Sequence, residues 1–181
     1  MSHPLDFIPN TAQKKIFFAL LALTLGLVGV FSLLDAPLRT TAAPNGIVSF
    51  ELAGTPEKAD AIIQSWDARA QLFAAFGLGF DYIFMPAYAL TISLGVLMAL
   101  RKHSGIFSKT GIYAGWGMLL AALLDAVENV ALWRLLSDTA TSFCPRVAAV
   151  AATIKFGLIL LGLGVALIGW VMPKKNKIFW K

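Results

Sequence analysis

Four long apolar runs dominate this chain, at roughly residues 16–34, 72–100, 111–136 and 147–172. Each is about 19 to 29 residues long, against the ~20 needed to cross the hydrocarbon layer of a bilayer. A soluble domain is nearer one half apolar and about a quarter charged. This chain of 181 residues is 58% hydrophobic and 14% charged, with a mean hydropathy of +0.75. The apolar excess is gathered into the runs, which is the signature of membrane spans. The expected fold is therefore all-α, a four-helix transmembrane bundle forming one integral membrane domain over residues 1–181.

Lysine and arginine counts orient the spans. Lys14, Lys15, Arg101, Lys102, Lys109, Lys174, Lys175, Lys177 and Lys181 fall on one side; Arg39, Lys58, Arg69 and Arg146 fall on the other. Both termini are expected in the cytoplasm. The first span has a rival as a secretory signal peptide, with Thr41-Ala42-Ala43 as the cleavage region. Its apolar run is long enough to span and Pro44 would follow the cut, which favours an uncleaved anchor. Pro173 is expected to stop the fourth span.

Residues 35–71 form an outer, periplasmic loop that acts as a lid. Ile47 to Leu52 alternates in a way that predicts a short extended stretch. Thr55 then reads as an N-cap, with Pro56 in the first turn and Glu57 favourable to the helix dipole. Ile62, Ile63 and Trp66 give this helix one apolar face, which lies on the outer membrane surface or caps the bundle, the rival reading being a packed loop helix with no role beyond covering.

Inside the spans stand Asp81, Asp125, Glu128 and Lys155, with Asn129 beside them. An ionisable group at membrane depth costs roughly 2.5–3.5 kcal/mol by insertion scales and marks a functional site with partners to be named. The helical rise of 1.5 Å per residue puts Asp81 roughly 14 Å below the outer edge of its span. Asp125 and Glu128 then lie roughly 16 and 12 Å deep, and Lys155 roughly 12 Å. Four groups on three helices thus fall in one layer. Asp125, Glu128 and Asn129 share a helix face at i, i+3 and i+4. Asp81, Met85 and Tyr88 share a stripe, Tyr82 is near it, and Pro86 should kink the span and free the carbonyl of Tyr82. Arg134 should snorkel outward.

Three acids against one lysine leave a net charge of −2 if all ionise, which a low-dielectric layer does not tolerate without compensation. A retained proton, a bound cation, or water and Arg69 reaching in from the lid would supply it. The competing reading is interhelical glue, in which a Lys155–Asp125 pair and a Glu128–Asn129 network fix the helix register. A metal, if any is held, would use Asp81, Asp125 and Glu128, an all-oxygen set suited to Mg²⁺, Ca²⁺ or Mn²⁺.

Other features weigh less. Gly111 and Gly115 form a small-xxx-small pair that permits close packing or dimerisation, and Gly157, Gly162 and Gly164 line the fourth span. Trp116, Trp133, Trp170 and Trp180 sit near span ends as interfacial anchors. His3 and His103 lie in the flanks, away from the buried acids. The lone Cys144, read as lying in a loop, excludes an intrachain disulfide or zinc finger. The pI of 9.5 does not indicate nucleic acid, because the basic residues border apolar runs and suit lipid headgroups. No Ser-His-Asp set, phosphate loop or CxxC pair is present, and nothing specifies a cofactor.

The segments Ser49-Phe50-Glu51-Leu52-Ala53-Gly54-Thr55, Phe80-Asp81-Tyr82, Leu124-Asp125-Ala126-Val127-Glu128-Asn129 and Thr153-Ile154-Lys155-Phe156 resemble those of a bacterial family of small four-span membrane proteins. The resemblance implies a bacterial cytoplasmic membrane and a four-helix arrangement, and carries no catalytic role. The sequence thus predicts a membrane protein whose acidic, lysine-paired site takes a proton, cation or small polar or lipidic ligand from the outer side. Asp81, Asp125, Glu128, Asn129, Lys155, Tyr82 and Tyr88 are its candidate residues. The rivals are a membrane-embedded enzyme on a lipid-type substrate, with a carboxylate as base and Lys155 as its electrophilic or phosphate partner, and a structural subunit whose cluster is packing only.

Overall fold

A computed structural model describes residues 2–101 and 103–172. Lys102, Pro173, Lys174, Lys175, Lys177, Trp180 and Lys181, which entered the orientation, stop and anchor arguments, lie outside the described residues. Every element among the described residues is helical. The order is α1 (Asn10–Asp35), a 3₁₀ turn (Ala36–Leu38), α2 (Ile47–Glu51), α3 (Pro56–Ser65), α4 (Ala68–Leu100), α5 (Ile106–Leu136) and α6 (Cys144–Val171).

Among the described residues three helices are long and apolar enough to cross a membrane: Asn10–Leu38, Ala68–Leu100 and Cys144–Val171. A helix satisfies its backbone polar groups internally, which is what a hydrocarbon solvent demands. α5 is of matching length, 31 residues, and carries Lys109, Asp125, Glu128 and Arg134. It is packed between α4 and α6.

Side-chain contacts set the register. α4 and α5 run antiparallel, with Ser93 Oγ donating to the Gly115 carbonyl at 3.2 Å and Leu100 seated on Gly111. α5 and α6 are antiparallel through Met118 on Gly162 and Phe107 on Gly169. α1 crosses α4 through the Thr24–Thr91 hydroxyl contact at 2.9 Å and Phe31 against Phe80 and Phe84. α4 is the most enclosed helix, whereas α1 keeps most of its surface exposed. α4 continues unbroken through Pro86.

Gly111 and Gly115 are consumed inside the chain. Leu100 fills the notch at Gly111 and the His3 ring fills that at Gly115, so neither is free to carry a dimer contact. The ring of His3 is buried because residues 2–8 fold back onto α5, where Trp116 Nε1 donates to the Ser2 carbonyl at 3.0 Å. Nothing in the local sequence signals that return. Cys144 is not in a loop; it opens α6 and is buried.

The segment between α1 and α4 departs from expectation in one place. Ile47–Glu51 is a helical turn, not an extended stretch. Gly46 turns the chain at φ +57°, and Asp35 Oδ1 accepts from the Ile47 N–H at 2.8 Å, capping the turn from α1. Alternation of apolar residues cannot register a cap supplied from twelve residues away. The α3 start is as predicted: Thr55 Oγ1 accepts from the Lys58 N–H at 3.4 Å and Pro56 occupies the first turn. Trp66 lies inward and not on a membrane surface. It is 3% exposed, packs edge-on against Phe50, and donates from Nε1 to the Leu38 carbonyl at 2.8 Å. The segment is therefore a packed lid over one end of the long helices.

Candidate functional site

The helix registers bring the buried charges together beneath the lid. Lys155, 5% exposed on α6, points its ammonium at α5. Its Nζ donates to Asp125 Oδ1 at 2.9 Å and to Glu128 Oε1 at 3.0 Å, with Glu128 Oε2 at 2.8 Å as a further ion-pair contact. Asp125 and Glu128 are one turn apart, so a single ammonium can bridge both. From α4 the Tyr88 hydroxyl donates to Asp125 Oδ2 at 2.9 Å, occupying its second oxygen. Asn129 Nδ2 donates to Asp81 Oδ2 at 2.9 Å and to the Leu78 carbonyl at 3.1 Å, which ties α5 to α4.

The lid adds a fourth acid. Glu51 Oε2 lies 3.8 Å from Lys155 Nζ, so the Glu51 carboxyl faces the same ammonium as Asp125 and Glu128. Glu51 Oε2 is fully buried without a hydrogen-bond donor of its own. Burial pushes the Glu51 carboxyl above its ordinary range; the Lys155 ammonium opposes that shift, and Asp125 and Asp35 reinforce it. Four carboxyls around one ammonium would carry a net charge of −3 if all were ionised.

A cleft of about 570 Å³ opens beside this cluster. α4 forms its floor through Phe73, Gly77, Asp81, Phe84 and Tyr88, and α2 roofs it with Ile47, Val48 and Glu51. α1 supplies one wall with Val28 and Phe31, and α6 the other with Lys155, Phe156 and Ile159. α1 and α6 meet at the far end, where Phe17 and Trp170 are 5.3 Å apart. Towards the lid the space between them is the cleft. Asp35, Arg39 and Asn45 lie along its upper edge.

Asp81, Asp125, Glu128, Asn129, Lys155 and Tyr88 thus converge from α4, α5 and α6. Tyr82 does not. One residue on from Asp81, it is rotated about 100° around the helix, is 48% exposed, and only grazes the Ala126 carbonyl at 3.5 Å. The Glu128–Asn129 network is also absent in the form expected, since Asn129 serves Asp81 while Glu128 serves Lys155. Arg69 does not reach in; its guanidinium lies 5.6 Å over the Phe73 ring near the start of α4. Asp81, Asp125 and Glu128 do not form a metal-ligand set: among the described residues no three of His, Cys, Asp and Glu converge in that way.

Glu51 is the member that the sequence conceals. A helical turn puts Val48 and Glu51 towards the cleft and Phe50 on the side of Trp66. Its signal is a single acid between Phe50 and Leu52, with no oppositely charged neighbour to hold it at the surface. Comparison with protein-family models, curated proteins and solved structures finds no match to this chain.

Proposed function

We propose that this chain is a four-span protein of a bacterial cytoplasmic membrane, with both termini in the cytoplasm, that binds a positively charged or proton-donating ligand in the cleft beneath its outer lid. Membrane residence is supported by the three apolar helices and by the comparable length of α5 packed among them. The orientation is supported by the excess of lysine and arginine at the end opposite the lid.

The observation that carries the binding reading is the excess of carboxyls over cations at the foot of an open cleft. Cluster members made only for helix association have no need of a cavity beside them. Asp125 and Glu128 are enclosed and committed to Lys155, so they anchor the helices. Asp81 is half-buried, lines the cleft and faces the ligand. Glu51 does so from above and couples occupancy to the lid.

Thermal unfolding of the detergent-purified protein tests this, with ethylammonium and acetate as probes. Ethylammonium should raise the melting temperature, since a ligand at a hundred times its dissociation constant stabilises by about 2.7 kcal/mol. Acetate should not. Asp81→Asn should melt near the parent and lose the ammonium effect. Equal, severe destabilisation by Asp81→Asn and Asp125→Asn, with no effect of ethylammonium on the parent, would return the cluster to interhelical packing.

A further inference from the structure

We infer that the ligand of the cleft is a cationic amphiphile: a molecule with a protonated amine head, seated against Asp81 and Glu51, and an apolar chain lying between α1 and α6. This rests on the cation-binding reading and extends it to the chemistry of the whole ligand.

The head is defined by which hydrogen-bonding groups are already used. Lys155 Nζ is committed to Asp125 and Glu128, the Tyr88 hydroxyl to Asp125, and Asn129 Nδ2 to Asp81 and the Leu78 carbonyl. What remains open at the foot of the cleft is acceptor oxygen. Among the described residues no donor engages Asp81 Oδ1, and Glu51 Oε2 is buried without one. An anionic or purely accepting head placed at this depth would face acceptor oxygens, because Arg39 lies along the upper edge and holds Asp35 there. A head with several N–H donors and a positive charge meets each of these needs.

The chain is defined by size and walls. A water-sized group takes about 30 Å³. The cleft holds about 570 Å³, so a lone ammonium or inorganic cation would leave most of it unfilled. Its volume is that of sites for drug-sized molecules, ~300–1,000 Å³. The remaining walls are Val28 and Phe31 on α1, Phe84 on α4, and Phe156 and Ile159 on α6. These match an alkyl or prenyl chain, and the ring faces can also attract the ammonium. Gly77 keeps this space open: a Cβ there would meet nothing within 4 Å. The cleft lies between α1 and α6, so a chain can enter sideways from lipid while the head reaches the acids.

Native mass spectrometry of the full chain, released from detergent after incubation with defined probes, tests the assignment. The probes are sphingosine, phosphatidylethanolamine, phosphatidylglycerol and ethanolamine. Sphingosine should be retained, and phosphatidylglycerol and ethanolamine should not. Retention of phosphatidylethanolamine as well would identify a bilayer headgroup as the source of the amine; its loss would identify a free long-chain amine. Gly77→Leu, which fills the cleft with a better helix former, and Asp81→Asn, which removes one charge, should each weaken sphingosine binding at least tenfold. Both variants should remain helical and monodisperse.

Ethanolamine bound as tightly as sphingosine, with no effect of Gly77→Leu, would overturn the amphiphile and leave the cation site standing. Equal retention of phosphatidylglycerol, indifferent to Asp81→Asn, would overturn both. Retention of no amine-bearing probe would overturn the amphiphile, and the ethylammonium melting shift would then decide the cation site separately.

Discussion

Lys155 on α6 and Glu51 on the lid helix α2 stand 3.8 Å apart, so the ammonium that clamps two carboxylates of α5 also reaches the lid. The same side chain thus contacts both the long helices and the segment that covers them. Its ammonium also lies 4.8 Å over the ring of Phe156, which lines the cleft.

Lys155→Met should be the most damaging single substitution in the cluster. It leaves Asp125, Glu128 and Glu51 enclosed with no counter-ion. Removing one partner of a buried pair typically costs about 3–5 kcal/mol. Thermal unfolding in detergent should show a large drop in melting temperature. Adding Asp125→Asn to Lys155→Met should recover part of the loss, because the second change removes a stranded charge. Additive losses would mean that the two side chains contribute independently.

Glu51 should make the stability of the closed lid depend on pH. Its carboxyl titrates above its unfolded value of 4.5, chiefly because it is buried. The closed lid therefore binds more protons than the open one between 4.5 and that raised value. By linkage its stability is fully present below pH 4.5 and declines as pH rises through the raised value. The facing groups are Asp35 on α1, Asp81 on α4, Asp125 and Glu128 on α5, and Lys155 on α6. Hydrogen exchange of residues 47–66 should accelerate with pH beyond the intrinsic chemical rate. Glu51→Gln, which holds a neutral donor in place permanently, should flatten that excess.

The long helices were legible because runs long and apolar enough to span a bilayer make a coarse, strong pattern: it locates the ends of α4 and α6 within four residues, while α1 and α5 begin six and five residues earlier than expected. The convergence of Asp81, Asp125, Glu128 and Lys155 was legible too, since antiparallel neighbours and a fixed rise leave little freedom in depth. Contacts between segments remote in sequence were not. Glu51 enters the site only because Asp35 caps α2 and Gly46 turns the chain beneath it. Asn129 chooses Asp81 over Glu128 because of how α4 is rotated, which spacing along one helix does not define. Tyr82 shows the same limit in reverse: the right depth, on the wrong face.

Gly46→Ala should loosen the lid without touching the long helices. Gly46 sits at φ +57° and ψ −130°, a region that side chains strongly disfavour. A Cβ there would overlap the Asp35 carboxylate, which accepts from the Ile47 N–H at 2.8 Å and from Arg39 Nε at 3.0 Å. Strain of this kind costs roughly 1–3 kcal/mol. Limited proteolysis between Thr40 and Asn45 should become faster, with helix content unchanged. An unaltered cleavage rate would mean that the Asp35 cap is dispensable.

At the opposite end, the fold-back of residues 2–8 should release under mild acid. Leu5 N–H donates to His3 Nδ1 at 3.2 Å, so the ring is neutral with its proton on Nε2, a buried atom without a partner. Burial pulls the His3 pKa from 6.5 down to about 4, with Asp6 opposing. The released segment therefore binds more protons than the docked one between these values. Docking is fully stable above pH 6.5 and weakens as pH falls towards 4. Trp116, whose Nε1 bonds the Ser2 carbonyl, reports the change: its emission should shift across that window. His3→Phe should flatten the profile by removing the titrating group. Gly115→Ala should give the released spectrum at every pH, because its Cβ takes the space of the His3 ring. A parent spectrum constant from pH 7 to pH 4 would mean that the ring stays neutral and docked throughout.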